Sequence, residues 1–241
     1  REVGSKMLIK SDGTILGSIG GGNLEAKVRE EALKAMKEGK SKVLHFDLTG
    51  KESPEDEIIE TGMICGGVSD ILIEPILSEP TLYIFGAGHI SLYLAKIGKM
   101  VGFKVVVVDD REDFANRERF PEADEIYAGD FLSVFPKLKL SKPYYIVIVT
   151  RGHRYDQETL EWAIGTEPKY IGMIGSRTKN RTVFSNLQKK GIPKTQLDDV
   201  HAPIGLNIGA ETPEEIAISI IAEVIKVRRE KEPAGTKTWK V

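Results

Sequence analysis

Apolar positions along this chain fall into short unbroken runs and longer stripes with helical spacing, and their order sets the expected architecture. The clearest passage is 81–110, TLYIFGAGHISLYLAKIGKMVGFKVVVVDD. An apolar run (Leu82, Tyr83, Ile84, Phe85) empties into Gly86-Ala87-Gly88-His89-Ile90-Ser91. A stripe at Ile90, Leu94, Ile97 and Val101 then predicts a helix, Gly102 ends it, and a second run at 105–108 stops at Asp109-Asp110. Strand, glycine turn, helix, strand and acid in this order form the opening unit of a dinucleotide-binding sheet.

The rest of the pattern sorts around that unit. Residues 7–10 and 14–19 flank Ser11-Asp12-Gly13, a hairpin signal. Gly20-Gly21-Gly22 follows, with Asn23 as the expected N-cap of a helix striped by Leu24, Val28, Ala32, Ala35 and Met36 and stopped by Gly39. Alternation over 41–48 predicts a strand, the charged 49–57 a loop, and 58–67 leads into another strand at 68–75. Periodicity restarts after Leu77-Ser78-Glu79-Pro80. Beyond it, strands expected at 125–128, 145–149 and 170–174 alternate with helices at 157–164, 179–190 and 214–229. The last helix opens on Thr212-Pro213-Glu214-Glu215, a capping box with Pro at N1, and presents Ile216, Ile220, Ile221 and Val224 as its buried stripe. The expected fold is therefore α/β: a Rossmann-like doubly wound parallel sheet over 79–229, a smaller N-terminal α+β domain of mostly antiparallel strands over 1–78, and a tail at 230–241.

Composition narrows what this scaffold does. The 241 residues give ample core for one large domain or two modest ones. A formal charge of −2 argues against a surface that coats nucleic acid or a basic membrane face. No apolar run approaches the length of a bilayer span, and no signal-peptide pattern opens the chain. Cys65 is the single cysteine, so no internal disulfide forms, in keeping with a cytoplasmic protein.

Candidate chemistry gathers at the predicted carboxyl ends of the strands, where doubly wound sheets hold their ligands. His89 follows the first strand and Asp109 the second; Thr150-Arg151-Gly152-His153-Arg154 follows the fourth and Gly175-Ser176-Arg177 the fifth; His201 and residues 205–211 precede the last helix. Gly86 permits a tight turn, Gly88 lets a pyrophosphate approach the helix amides, and Ser91 replaces a third glycine. Asp109, 21 residues past Gly88, stands where an acid roughly 20 residues on hydrogen-bonds a ribose 2′-hydroxyl. Arg177 beside a helix N-terminus suits an anion; the plainer alternative is a Ser176 N-cap with a surface arginine. His89 and His153 are either site groups or exposed loop histidines, and His201-Ala202-Pro203 either joins the site or is a rigid turn. The histidine spacings match no zinc pattern. Gly20, Gly21 and Gly22 form a second candidate anion cradle or merely a turn. Cys65, before Gly66-Gly67, is either a small buried hydrophobe or an accessible thiol for sulfur handling or soft-metal contact. Cys65, His89 and His153 are thus the candidates for chemistry itself. No Lys–Tyr pair at helical spacing marks a hydride-transfer site, which weighs against an NAD(P)-dependent oxidoreductase; a non-catalytic nucleotide-binding regulatory subunit is the other alternative.

The segments GSIGGGNLE, MICGG, ILIEP, IFGAGHIS, VVDDREDFANRERFP, IVTRGHRYDQETL, YIGMIGSRTK and HAPIGLNIGAETPEEIAISIIAEV together resemble the XdhC/CoxI family of xanthine dehydrogenase accessory proteins, from about Gly4 to Val227. The resemblance implies a maturation chaperone with little turnover of its own. Such a factor binds molybdenum cofactor, as molybdopterin or its cytosine dinucleotide form, assists its sulfuration with a cysteine desulfurase, and hands it to a xanthine dehydrogenase-type molybdenum hydroxylase. A homodimer is the expected assembly. On this reading Gly20, Gly21, Gly22, Cys65, Gly86, Gly88, His89, Asp109, Arg151, Gly152, His153, Gly175, Ser176, Arg177 and His201 surround the cofactor. Many relatives carry Cys where this chain has Asn23, which leaves Cys65 as the sole thiol.

Overall fold

The computed structural model describes residues 2–47, 58–60 and 68–229, and the chain divides into two compact units, Arg1–Leu77 and Ser78–Val241. In the first unit β1 (Met7–Ile9) and β2 (Ile15–Gly17) pair antiparallel with Leu8 opposite Leu16. The Asp12 carboxylate accepts the Thr14 amide at 2.8 Å and fixes the turn between them. α1 (Gly22–Glu38) buries Leu24, Val28, Ala32 and Ala35 along one stripe. That stripe packs on Leu44, Phe46 and Ile73, contributed by β3 (Lys42–Asp47) and β5 (Val68–Ile73). β4 (Ile58–Glu60) completes a sheet of order β4-β3-β5, in which β3 runs antiparallel to β5 and parallel to β4. α1 ends on Gly39 in the left-handed region, φ 63°, with its amide on the Ala35 carbonyl.

The second unit alternates strand and helix: β6 (Thr81–Phe85), α2 (His89–Met100), β7 (Lys104–Asp109), β8 (Glu125–Ala128), α3 (Phe131–Val134), β9 (Tyr144–Ile148), α4 (His153–Ile164), β10 (Tyr170–Met173), α5 (Arg177–Lys189), α6 (Lys194–Asp198) and α7 (Pro213–Arg229). Its sheet has the order β10-β9-β6-β7-β8, parallel throughout. Leu82 of β6 lies opposite Val105 on one side and Tyr145 on the other. This is the doubly wound Rossmann arrangement, and the chain reverses its direction of travel across the sheet between β6 and β9.

Alternate residues of the central strands go to opposite faces. Leu82, Ile84, Val105, Val107 and Val147 pack with Leu94 of α2 and Ile220 and Val224 of α7. Tyr83, Phe85, Val106, Ile146 and Ile148 pack with Phe131, Leu160, Val183 and Leu187. Both faces are buried, which is why these strands read as unbroken apolar runs. Each large side chain so enclosed contributes about 1.5–3 kcal/mol. The capping box of α7 forms as its sequence predicts: the Glu215 amide donates to Thr212 Oγ1 at 3.3 Å and the Thr212 amide to Glu215 Oε2 at 3.1 Å. Among the described residues no helix is long and apolar enough to cross a membrane.

Candidate functional site

The crest of the second unit, at the carboxyl ends of β6, β7, β9 and β10, is built around the glycine turn after β6. Gly86 has φ +106°, and a Cβ there would lie 2.4 Å from the Val149 carbonyl oxygen, so only glycine lets the turn pass this close to the chain leaving β9. Ser91, at the position of a third glycine, is fully buried and donates its hydroxyl to the Gly86 carbonyl at 2.6 Å. Gly88 differs. Its φ is −74°, it precedes α2 without a side-chain cap, and nothing lies within 4 Å of where its Cβ would be. The leading amides of α2 thus open onto free space with the positive end of the helix dipole behind them. His89, the first residue of α2, is exposed.

Asp109 closes the turn from behind. It is 2 % exposed, and both carboxylate oxygens are taken. Oδ2 accepts the Ala87 amide at 2.7 Å and Arg111 Nη2 at 3.0 Å; Oδ1 accepts the Arg111 amide at 3.0 Å and Arg111 Nε at 2.8 Å. Burial alone would push this carboxyl up; the Arg111 guanidinium and the Ala87 and Arg111 amides outweigh it and hold the group below the usual aspartate value. A carboxylate presents about four acceptor positions, so none is left for a ribose hydroxyl while Arg111 stays in place. Asp110, partly exposed, instead receives Arg151 Nη2 at 2.6 Å. Arg111 and Arg119 both lie over the Phe114 ring, at 3.6 and 4.9 Å from its centroid, and Arg119 also reaches the Ala87 carbonyl. Sequence reasoning missed Arg111 and Arg119. The Asp-Asp-Arg run was the available signal, since an arginine two residues past an acid can fold back on it.

The loops after β9 and β10 are joined by a buried ion pair. Asp156, wholly buried in the first turn of α4, accepts the Thr150 hydroxyl at 2.7 Å and pairs with the Lys179 ammonium from the first turn of α5. Gly152 is the N-cap of α4 and His153 its first residue, so His153 starts the helix rather than sitting in the loop; it is exposed. Arg151 is exposed and leans over the Tyr155 ring. Ser176 caps α5 through the Lys179 amide at 3.2 Å. Asn180 fills the space a side chain at Gly175 would need and donates to its carbonyl. Arg177 is exposed and borders a cavity of about 350 Å³ lined by the 203–210 segment and by Ile216 and Ser219 of α7.

A family model described as the XdhC Rossmann domain matches residues 82–224, and one described as the XdhC and CoxI family matches residues 1–47. This chain belongs to the XdhC/CoxI family. Its sequence is 34% identical over 93% of the chain to a protein of Escherichia coli named "Uncharacterized protein YqeB", and 31% identical over 67% of the chain to a probable xanthine dehydrogenase subunit of Bacillus subtilis. It is 23% identical over 96% of the chain to the "Molybdenum cofactor insertion chaperone PaoD" of Escherichia coli. The chain spans 40% of YqeB, 47% of the Bacillus subtilis protein and 80% of PaoD. Among solved structures, a xanthine dehydrogenase from Bacillus halodurans matches 98% of this chain and 90% of that one, with a TM-score of 0.57 and 27% identity.

The remaining expected site residues lie on other elements of the chain. His201 forms an isolated parallel bridge with Gly172, a sixth ladder position beside β10. Its ring Nδ1 is 3.3 Å from Glu223 of α7, which also accepts the Tyr170 hydroxyl at 2.6 Å and the Gly205 amide at 2.9 Å. Burial would raise the Glu223 carboxyl; contacts from His201, Tyr170 and Gly205 leave it lowered. His201 therefore fastens the loop before α7 to the sheet edge. In the first unit, α1 begins at Gly22 with Gly21 as N-cap, and Asn23 lies inside the first turn. The cause is Glu25, whose Oε1 accepts the amides of Ile19, Gly20 and Gly21 at 2.9, 3.3 and 3.0 Å and the Ser18 hydroxyl at 2.7 Å. Those contacts hold Glu25 below the usual glutamate value, the Ser18 hydroxyl contributing most. The Gly20-Gly21-Gly22 cradle already holds a carboxylate of its own chain. Cys65 lies outside the described residues, as do Gly66 and Gly67. Among the described residues no group of three or more His, Cys, Asp or Glu side chains could hold a metal ion.

Proposed function

We propose that this protein binds molybdenum cofactor and acts as an accessory chaperone that delivers it to a xanthine dehydrogenase-type molybdenum hydroxylase. The likeness to a molybdenum cofactor insertion chaperone along nearly the whole chain carries this reading. The crest is compatible with it. The amides of α2 behind Gly88, with Arg151 on the loop after β9, would hold the phosphate or pyrophosphate of a pterin cofactor. When bound, that group supplies the molybdenum centre the client hydroxylase needs; the residues of this chain bind it and orient it. The filled acceptors of Asp109 weigh against a nicotinamide dinucleotide read through its ribose. Within the proposal, Cys65 handles sulfur or contacts molybdenum, a cysteine desulfurase is the sulfur donor, His89 and His153 flank the ligand, and a homodimer in the cytoplasm is the working form.

Metal and pterin analysis of protein purified from a molybdate-fed host tests the reading. Molybdenum and pterin should copurify in near-equal amounts, and the loaded protein should activate apo-hydroxylase. A preparation holding neither, and stabilised by NAD instead, would overturn it. A ligand at about 100 times its Kd adds about 2.7 kcal/mol of stability, well within reach of a thermal-shift assay.

A further inference from the structure

Doubly wound sheets are two mononucleotide-binding halves placed side by side. The glycine turn, α2 and Asp109 belong to the half built on β6, β7 and β8. The cavity beside Arg177 belongs to the other, at the carboxyl side of β10 and of the one-residue ladder at His201. Three strand spacings separate β6 from that position, about 14 Å in all.

The cavity wall is fastened at both ends. On one side the Ile204 amide donates to the Met173 carbonyl at 3.1 Å and the Leu206 amide to the Ser219 carbonyl at 3.2 Å, while the Ser219 hydroxyl returns a bond to the Leu206 carbonyl at 2.7 Å. A side chain at Gly205 would meet Ser219 Oγ at 2.3 Å, so the chain lies flat on α7 here. On the other side the amides of Glu211 and Thr212 are held by Glu215. Between these anchors Asn207 and Gly209, both exposed, and the half-buried Ala210 line the cavity, and among the described residues their amides have no hydrogen-bond partner within the protein. Arg177 has none either and stands at the rim. The lining carries no Asp or Glu. Ile204, Leu206, Ile208 and Ile216 add aliphatic side chains to the lining, beside Pro203 and Ser219. A volume of about 350 Å³ is enough for a ring system rather than an ion alone.

We infer that this cavity binds a planar heteroaromatic ring with carbonyl acceptors and an anionic substituent, the ring end of a two-ended ligand whose phosphates meet α2. Donors without a carboxylate select acceptor oxygens and negative charge, and four aliphatic side chains offer faces for a flat ring. The inference rests on the cofactor reading above for the kind of ring, since a pterin and the pyrimidine of a cytosine dinucleotide are both flat heteroaromatic rings with a carbonyl acceptor, each tethered to phosphate. The fixed ends of the segment mean that little ordering entropy opposes binding.

The test uses the full chain, with pterin-6-carboxylate and CMP as separate probes, following backbone amide resonances during titration. Either probe should shift Asn207, Gly209 and Ala210, and which one binds tighter identifies the ring. Arg177→Gln should weaken that probe at least about tenfold. Ile208→Asp, a change at a side chain 56% exposed, should weaken it by a similar factor through repulsion without loss of fold. Shifts confined to 86–91, or unchanged affinity in both variants, would overturn the assignment. Probe binding at the cavity in protein that never retains molybdenum would support the cavity while removing the cofactor reading, so the two fail separately.

Discussion

The two glycine turns of this chain have nearly the same local grammar and opposite outcomes. Each sits between a strand and a helix, and each draws a carboxylate to its amides. At Gly20-Gly21-Gly22 the acid comes from the helix that follows, and Glu25 takes three successive amides from the front. At Gly86-Ala87-Gly88 it comes from the neighbouring strand, and Asp109 takes only the Ala87 amide, from behind. The first turn is a helix cap complete in itself. The second is braced yet leaves its helix end open. Whether a glycine turn can receive an outside anion therefore depends on which side its own chain's carboxylate approaches from.

The largest effect should come from adding a methyl at the close approach. Gly86→Ala places Cβ 2.4 Å from a backbone oxygen at φ +106°, and neither atom can move without parting β6 from β9. We expect about 4 kcal/mol or more of destabilisation, seen as a collapsed denaturation midpoint. Gly21→Ala, at φ +83° and ψ 178° with nothing within 4 Å, meets backbone strain but no clash and should cost about 1–3 kcal/mol. Comparable losses at both positions would erase the contrast in packing.

Next comes the brace. Asp109→Asn takes from the Arg111 guanidinium its nearer counter-charge, leaving only Asp110 at 3.9 Å, and since Arg111 keeps some solvent contact the loss should be about 3 kcal/mol by urea denaturation. The native carboxyl is held below its ordinary 3.8, so its contribution is full above that pH and fades as pH falls through the folded value. The gap between parent and variant should accordingly narrow in acid; a constant gap would mean the charge is not what matters.

These cases mark what the sequence could and could not convey. Runs such as 82–85 and 105–108 announce a parallel sheet because both faces of each strand are buried, and burial is what hydrophobicity records. The Thr212–Glu215 cap was legible because its partners are three residues apart. Asp109 was legible as a position but not as a role. Spacing places an acid at the strand end, yet it does not tell that Arg111 has already filled its acceptors. Asn23 misled for a related reason: it has a capping side chain, but Glu25 two residues on reaches farther back and moves the helix start. His201 was hidden because a ladder one residue long has no periodicity. The cavity at 203–210 depends on how that segment lies against α7, a tertiary fact no local pattern encodes.

A smaller effect is expected where the cap is self-contained. Glu25→Ala should cost about 1 kcal/mol, the usual worth of an N-terminal cap. Hydrogen-exchange protection at Gly20 and Gly21 should fall in the variant. In the parent, protection should be full above the ordinary glutamate value of 4.5 and decline as pH drops through the lowered folded value. Unaltered protection would mean that the amides find other partners and that the first turn is not plugged.

The smallest change in stability should accompany a large change in binding. Gly88→Ala needs no unusual backbone conformation, since φ is −74°, and its methyl meets nothing within 4 Å, so stability should stay within about 0.5 kcal/mol of the parent. The methyl would nonetheless stand in the open space through which an anion approaches the α2 amides. Affinity for inorganic pyrophosphate, followed by calorimetric titration, should drop at least about tenfold, as expected when charge-assisted bonds to an anion are displaced. The same titration on Gly21→Ala should show no change from the parent, because Glu25 already occupies that turn. Should the two alanine variants bind pyrophosphate alike, the open turn would lose its distinction from the plugged one, and the anion would have to be sought at Arg177 and the 203–210 segment instead.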